Sequence, residues 1–250
     1  MGGGVLAGRA VLVTGAGRNI GRAIAAAAAR AGAGVALLER EAGLAAEAIA
    51  GIRAAGGTAV EVVADLRSPE GVAGAIASAA GALGRLDGLV NNAAVYVRGE
   101  FLALTEQQWD LSVDTNLKGA FLATQAFARL ARERRVVGSV VNVASVHATV
   151  GDAAVVPHCA AKAGLLGLTR ASAEALRPLG IRVNAVSPGA VATFRGPWDA
   201  PVPGEPLRAI LVPSMVADAV LWLLSDAAAG VTGTDLVVGG GTSPALRTPG

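Results

Sequence analysis

The sequence predicts an α/β protein, a doubly wound parallel sheet of about seven strands flanked by helices. Short apolar runs alternate along the 250 residues with longer segments of three- and four-residue apolar spacing, the pattern of strand and helix in repetition. The runs are apolar at every position, as strands covered on both faces should be. A glycine-rich turn closes the first run, where an open parallel sheet binds its ligand.

The first strand reads as Ala10–Val13, and a helix over Ile20–Ala31 follows that Gly32 ends. A second strand at Val35–Leu38 and a helix over Glu41–Ala54 come next, then a strand at Ala59–Val63 and a helix over Pro69–Leu83. A fourth strand at Leu86–Val90 leads into one long helix, Thr105–Ala131, which Thr105 and Gln108 start as a capping box. The pattern continues with a strand at Ser139–Val143, a helix over Val155–Leu176 with Gly180 beyond it, and a strand at Arg182–Val186. A helix over Ser214–Leu224 and a last strand at Leu236–Val238 complete the series. No repeat or linker divides the chain, so one domain over residues 1–250 is expected, with a proline-rich substrate loop at about 190–214.

Composition narrows the partners. A 53% hydrophobic, 16% charged chain supports a large core, and 34 Gly with 11 Pro fall below the level of a disordered sequence. The longest alanine run, Ala25–Ala29, is bracketed by Arg22 and Arg30, so no membrane span is expected, and no charged-then-apolar leader opens the chain. Cys159 is alone and has no disulfide partner, which suits a reducing, cytoplasmic setting. A net charge of +2 without a Lys/Arg stripe argues against nucleic acid as a partner.

The first strand ends in Thr14-Gly15-Ala16-Gly17-Arg18-Asn19-Ile20-Gly21 and opens a helix. Glycines there let backbone approach a pyrophosphate, while the helix N-terminus supplies N–H groups and the positive end of its dipole. Glu39 closes the second strand, where a carboxylate accepts from both ribose hydroxyls and repels a 2′-phosphate, which favours NAD. Arg18 and Arg40 stand close enough to grip that phosphate instead, so NADP stays open. Asp65, after the third strand, is in place to meet the adenine, although a turn-capping aspartate would look the same.

These residues resemble the short-chain dehydrogenase/reductase family over essentially the whole chain. The glycine turn is similar to its TGxxxGxG, with Asn19 where a glycine usually sits, and Asn91-Asn92-Ala93-Ala94 resembles its NNAG segment. Asn116 matches the helical asparagine that supports a proton relay, Ser145 the catalytic serine, and Pro188-Gly189 with Thr193 the segment that meets the carboxamide of the cofactor. The resemblance implies a Rossmann-type fold, a small-molecule substrate and a homodimer or homotetramer. It also implies that Gly15, Gly17, Arg18, Asn19, Ile20, Gly21, Glu39, Arg40, Asp65, Leu66, Asn92, Ala93, Lys162, Pro188, Gly189, Val191 and Thr193 border a nicotinamide nucleotide.

The resemblance breaks at His158. The family's YxxxK reads His158-Cys159-Ala160-Ala161-Lys162 here, with the lysine kept and the phenol gone. Residues four apart share a helix face, so His158 and Lys162 point toward one site. Imidazole is chemically able to exchange a proton near neutral pH, and the Lys162 charge should keep it neutral, a better base than acid. Its ring falls roughly 2 Å short of a tyrosine hydroxyl, a gap that water or a deeper substrate would fill. The other histidine, His147, follows Ser145 by two residues and faces the same site, as either a substrate contact or a loop residue bonded to backbone. No carboxylate stands at ligand-like spacing from the pair, so no metal is expected.

Three functions stay open on these residues. The first is an NAD(P)-linked interconversion of a secondary alcohol and a ketone by Asn116, Ser145, His158 and Lys162. The second is redox-neutral dehydration, isomerisation or cyclisation with His158 and His147 as acid and base; the third is a silent nucleotide-binding scaffold. Phe194 and Trp198, in the proline-rich loop, suggest a small or medium apolar substrate.

Overall fold

The computed structural model describes residues 4–192 and 210–241. Seven parallel strands form one sheet in the order β3-β2-β1-β4-β5-β6-β7: β1 Ala10–Thr14, β2 Gly34–Glu39, β3 Ala59–Val63, β4 Gly88–Asn91, β5 Gly138–Val143, β6 Ile181–Pro188 and β7 Asp235–Val238. Helices α1 (Asn19–Arg30), α2 (Ala46–Ala54), α3 (Pro69–Leu83), α4 (Glu106–Val113), α5 (Gly119–Arg134), α6 (Val156–Leu176) and α7 (Pro213–Leu224) fill the connections. The chain reverses direction across the sheet between β3 and β4, which leaves a crevice at the carboxyl ends of β1 and β4.

Successive side chains of each apolar run go to opposite faces. Val11, Val13, Val35 and Leu37 bury against Ile24 of α1 and Val216, Val220 and Leu223 of α7. Leu12, Ala36, Leu38 and Leu89 bury on the other face with Val72 and Ile76 of α3 and Phe127 of α5. Two buried layers explain why the strands carry no polar alternation. At the amino end of the sheet the buried Asp87 ties β1 to β4, accepting from the Ala10 N–H at 2.8 Å and from Arg85 Nε at 2.7 Å.

Local signals set the helix ends. Ser68 caps α3 by accepting from the Gly71 N–H at 3.1 Å, and Gly84 ends it at φ 77°. Thr105 and Gln108 form the capping box of α4.

Two elements differ from expectation. The helix expected from Glu41 begins only at Ala46, because Gly43 takes a φ of 85° and gives its N–H to Glu61 Oε1 at 2.8 Å. The helix expected over Thr105–Ala131 is interrupted by a π-helical turn, Asp114–Lys118, that carries Asn116. Such bulges are rare and concentrate at functional sites. The loop residues Thr193, Phe194 and Trp198 lie outside the described residues. No helix among the described residues is long and apolar enough to cross a membrane.

Candidate active site

The glycine turn is laced to β4. Thr14 Oγ1 accepts from the N–H groups of Asn92 and Ala93, each at 3.0 Å, and Asn92 Nδ2 donates to the carbonyls of Thr14 at 2.9 Å and Gly15 at 3.0 Å. Gly15 has φ 63°, and a Cβ on Gly21 would stand 2.1 Å from the Gly15 oxygen, so both positions require glycine. Asn19 sits at φ 48°, a left-handed conformation that asparagine tolerates, which accounts for its presence in a glycine pattern. No side chain caps α1, and its first turn holds no acidic residue. The helix therefore presents free N–H groups and an unopposed dipole to the turn, a donor set that fits a pyrophosphate.

Glu39 reaches beneath this turn, where Oε1 accepts from the Gly17 N–H at 2.6 Å. Its carboxylate is thus fixed beside the glycines. Arg40 Nη2 is taken up by Glu41 at 2.5 Å, while Arg18 is exposed. Asp65 accepts from the Arg67 N–H at 2.9 Å and binds its guanidinium at 2.6 Å, and this partner holds the carboxyl below its usual range. The turn-capping aspartate weighed from sequence is present, with an ion pair added. Leu66 is buried beside the start of α5.

The π-turn aims Asn116 at the segment after β4. Its Oδ1 accepts from the Val95 N–H at 2.8 Å, and its Nδ2 donates to the Val95 carbonyl at 2.9 Å and to Ser112 Oγ at 3.2 Å. The same Val95 carbonyl faces the ring of His158. Asn116 therefore holds the backbone against which that ring rests.

His158 and Lys162 lie one turn apart on α6 and are both buried. Lys162 Nζ donates to the Val143 carbonyl at the end of β5, 2.5 Å away, and burial pulls its pKa down to about 8. His158 Nδ1 is buried without a hydrogen-bond partner among the described residues. Its pKa falls to about 4, chiefly through burial and secondarily through Lys162 and His147. The Lys162 charge acts in the direction expected from sequence, and desolvation is the larger cause.

Ser145 follows β5 and caps a short turn, Oγ accepting from the His147 N–H at 3.1 Å. His147 stands across from His158 with ring centroids 6.0 Å apart. Its Nε2 lies 3.7 Å from Asp152 Oδ2, a carboxylate that linear spacing did not suggest. Tyr96, the sole tyrosine, sets its ring edge-on to His158 at 4.8 Å, and Arg98 lies over the Tyr96 ring at 5.6 Å. Tyr96 directly follows Val95, the residue that Asn116 clamps.

Beyond β6, Gly189 donates to the Val238 carbonyl at 2.9 Å, and Val191 forms a parallel bridge with Leu211. Pro188 and Gly189 thus join the row of β-strand carboxyl ends with Thr14, Asn92 and Ser145.

Residues 15–243 match the family described as enoyl-(acyl carrier protein) reductase. The chain belongs to the short-chain dehydrogenase/reductase family. It is 37% identical over 243 residues to 2-(S)-hydroxypropyl-CoM dehydrogenase 3 of Xanthobacter autotrophicus, covering 92% of this chain and 95% of that one. It is 38% identical over 248 residues to L-rhamnose 1-dehydrogenase (NAD(P)(+)) of Azotobacter vinelandii, covering 93% and 96%. A short-chain type dehydrogenase/reductase from Mycobacterium marinum superposes with a TM-score of 0.88 at 33% identity, covering 98% of this chain and 97% of that one. The chain is accordingly a short-chain dehydrogenase/reductase enzyme, an oxidoreductase dependent on a nicotinamide nucleotide.

Proposed function

We propose that this enzyme interconverts a secondary alcohol and a ketone with NAD, using His158 where the family uses a tyrosine. The observation that carries the reading is the buried, unpartnered Nδ1 of His158 one helical turn from the buried Lys162. A buried polar atom without a partner is costly, and a substrate hydroxyl would satisfy it.

When bound, the nicotinamide supplies the acceptor or donor of the hydride. Everything else falls to the protein. Asn19, Ile20 and Gly21 at the start of α1 would hold the pyrophosphate with backbone N–H groups, Gly15 and Gly17 would let it approach the backbone, and Pro188 and Gly189 would flank the nicotinamide end. The unpartnered Nδ1 of His158 is the lone pair assigned to take the alcohol proton. Asn116 is a positioning residue that fixes Val95 on both its backbone groups. Ser145 Oγ already accepts from the His147 N–H, so its own proton is free to donate to the substrate oxygen. Lys162 would set positive charge beside the ribose of a bound nucleotide, and it disfavours imidazolium, which would bias the site toward alcohol oxidation.

The preference for NAD rests on Glu39. Its Oε1 is pinned by Gly17, and Arg40 is engaged by Glu41, so negative charge dominates where a 2′-phosphate would lie. Glu39→Gln is expected to lower the ratio of kcat/KM for NAD over NADP by about tenfold, equivalent to about 1.4 kcal/mol. An unchanged ratio in steady-state kinetics with both nucleotides would place the discrimination elsewhere.

Two measurements test the function. NADH fluorescence should report binding in the micromolar range, and secondary alcohols such as 1-phenylethanol or cyclohexanol should generate NADH at mildly alkaline pH. Absence of binding at millimolar nucleotide defeats the reading. Conversion of a substrate without any change in NADH absorbance would instead favour redox-neutral chemistry by the two imidazoles.

A further inference from the structure

We propose that His147, held by Asp152, is a second catalytic group that carries the reaction proton between His158 and solvent. The inference rests on the oxidoreductase reading above and adds a route to it.

The route is needed because burial makes His158 an unfavourable resting place for a proton. Its ring is 6% exposed, and imidazolium is disfavoured there by burial, by Lys162 on its own helix and by His147 across the site. Three side chains surround it. Lys162 is buried, and its ammonium points to the Val143 carbonyl, so it neither accepts a proton while charged nor opens to water. Tyr96 is raised above its usual pKa by burial, which keeps it a phenol at neutral pH, without the charge of a proton acceptor. His147 joins a ring nitrogen to the surface: its side chain is 27% exposed and its Nε2 lies 3.7 Å from Asp152 Oδ2. Asp152 is itself fixed, since Oδ1 accepts from the Ala154 N–H at 2.9 Å. The carboxylate therefore orients the His147 ring from the side away from its own backbone anchor.

The step balances without a further reactant. In oxidation, the carbon gives a hydride with its electron pair to the nicotinamide, while the O–H bond breaks and an N–H bond forms at His158 Nδ1. That proton passes to His147, whose ring centroid stands 6.0 Å away, and leaves to solvent. Neither histidine changes oxidation state, and both return to the neutral form.

The test combines kinetics with a readout that needs no turnover. In weak, non-imidazole buffer, His147→Ala is expected to lower NAD-linked oxidation of 1-phenylethanol at least about tenfold. Free imidazole should restore most of the loss, while melting temperature and NADH affinity stay at parental values. Asp152→Asn keeps the acceptor for Ala154 and removes the charge; it should slow the reaction several-fold in weak buffer and match the parent in concentrated imidazole. In the cofactor-free protein, NMR titration of the His158 ring should show its midpoint rising in His147→Gln. Parental rates in both variants, a loss that imidazole does not recover, or an unmoved His158 midpoint would each overturn the relay. A parent that binds NADH but generates none from any secondary alcohol defeats the oxidoreductase reading instead, and the NMR shift then decides the coupling of the rings alone.

Discussion

Lys162→Met is expected to remove NAD-linked turnover by a factor of about a hundred to a thousand while leaving a folded protein. The side chain ends in a buried ammonium that donates to Val143, with a pKa lowered to about 8. Methionine fills nearly the same space and leaves one carbonyl unpaired, a cost of about 1–3 kcal/mol that the loss of a buried charge offsets. Stability should therefore change little, and the defect should appear in kcat together with weaker NADH binding. Lys162→Arg should not restore activity, because a planar guanidinium does not fit a site enclosed around an ammonium. Circular dichroism melts, NADH fluorescence and initial rates on one preparation separate these effects. A Met variant with parental kcat would remove Lys162 from the mechanism.

The second large effect is expected at His158. His158→Phe removes the imidazole and its unsatisfied Nδ1, so catalysis should fall by about a hundred- to ten-thousandfold while the protein gains about 1 kcal/mol at neutral pH. Loss of activity with gain of stability is the signature of a group kept for chemistry. The sign of the pH dependence follows from its pKa, which lies at about 4 in the fold against 6.5 in the unfolded chain. Between those values the unfolded state binds more protons, so stability is full above 6.5 and declines as pH falls toward 4, by about 3 kcal/mol from this residue. Phenylalanine should abolish that contribution. Urea melts of parent and variant at matched pH values check it, and parallel curves would show that the ring is not buried in neutral form.

Much of this was legible in the sequence because the signals are local. Seven apolar runs with turn residues between them placed every strand within a few residues, and Thr105, Gly32 and Gly180 mark ends by capping and positive φ. The π-turn was not legible, since Asp114–Lys118 keeps helical periodicity and the bulge exists to let Asn116 reach Val95, a tertiary demand. The late start of α2 depends on Gly43 meeting Glu61 of β3, again a contact outside the helix. At the site, spacing predicts a shared face for His158 and Lys162, but not that one stays unpartnered while the other bonds to Val143. The ring of Tyr96 on His158 and the carboxylate of Asp152 on His147 are products of loop packing, which no periodicity encodes.

The central claim is that imidazole at position 158 is the working acid–base group, in a site shaped for it by the Tyr96 ring 4.8 Å away. Replacing it by the residue usual in the family tests this most directly. Steady-state oxidation of 1-phenylethanol and cyclohexanol with NAD should be compared between parent and His158→Tyr, both checked for NADH binding. The account predicts an active parent and a variant that binds NADH but turns over more slowly, because the phenol enters space that Tyr96 and the substrate share. A silent parent in which the tyrosine creates alcohol dehydrogenase activity would contradict it.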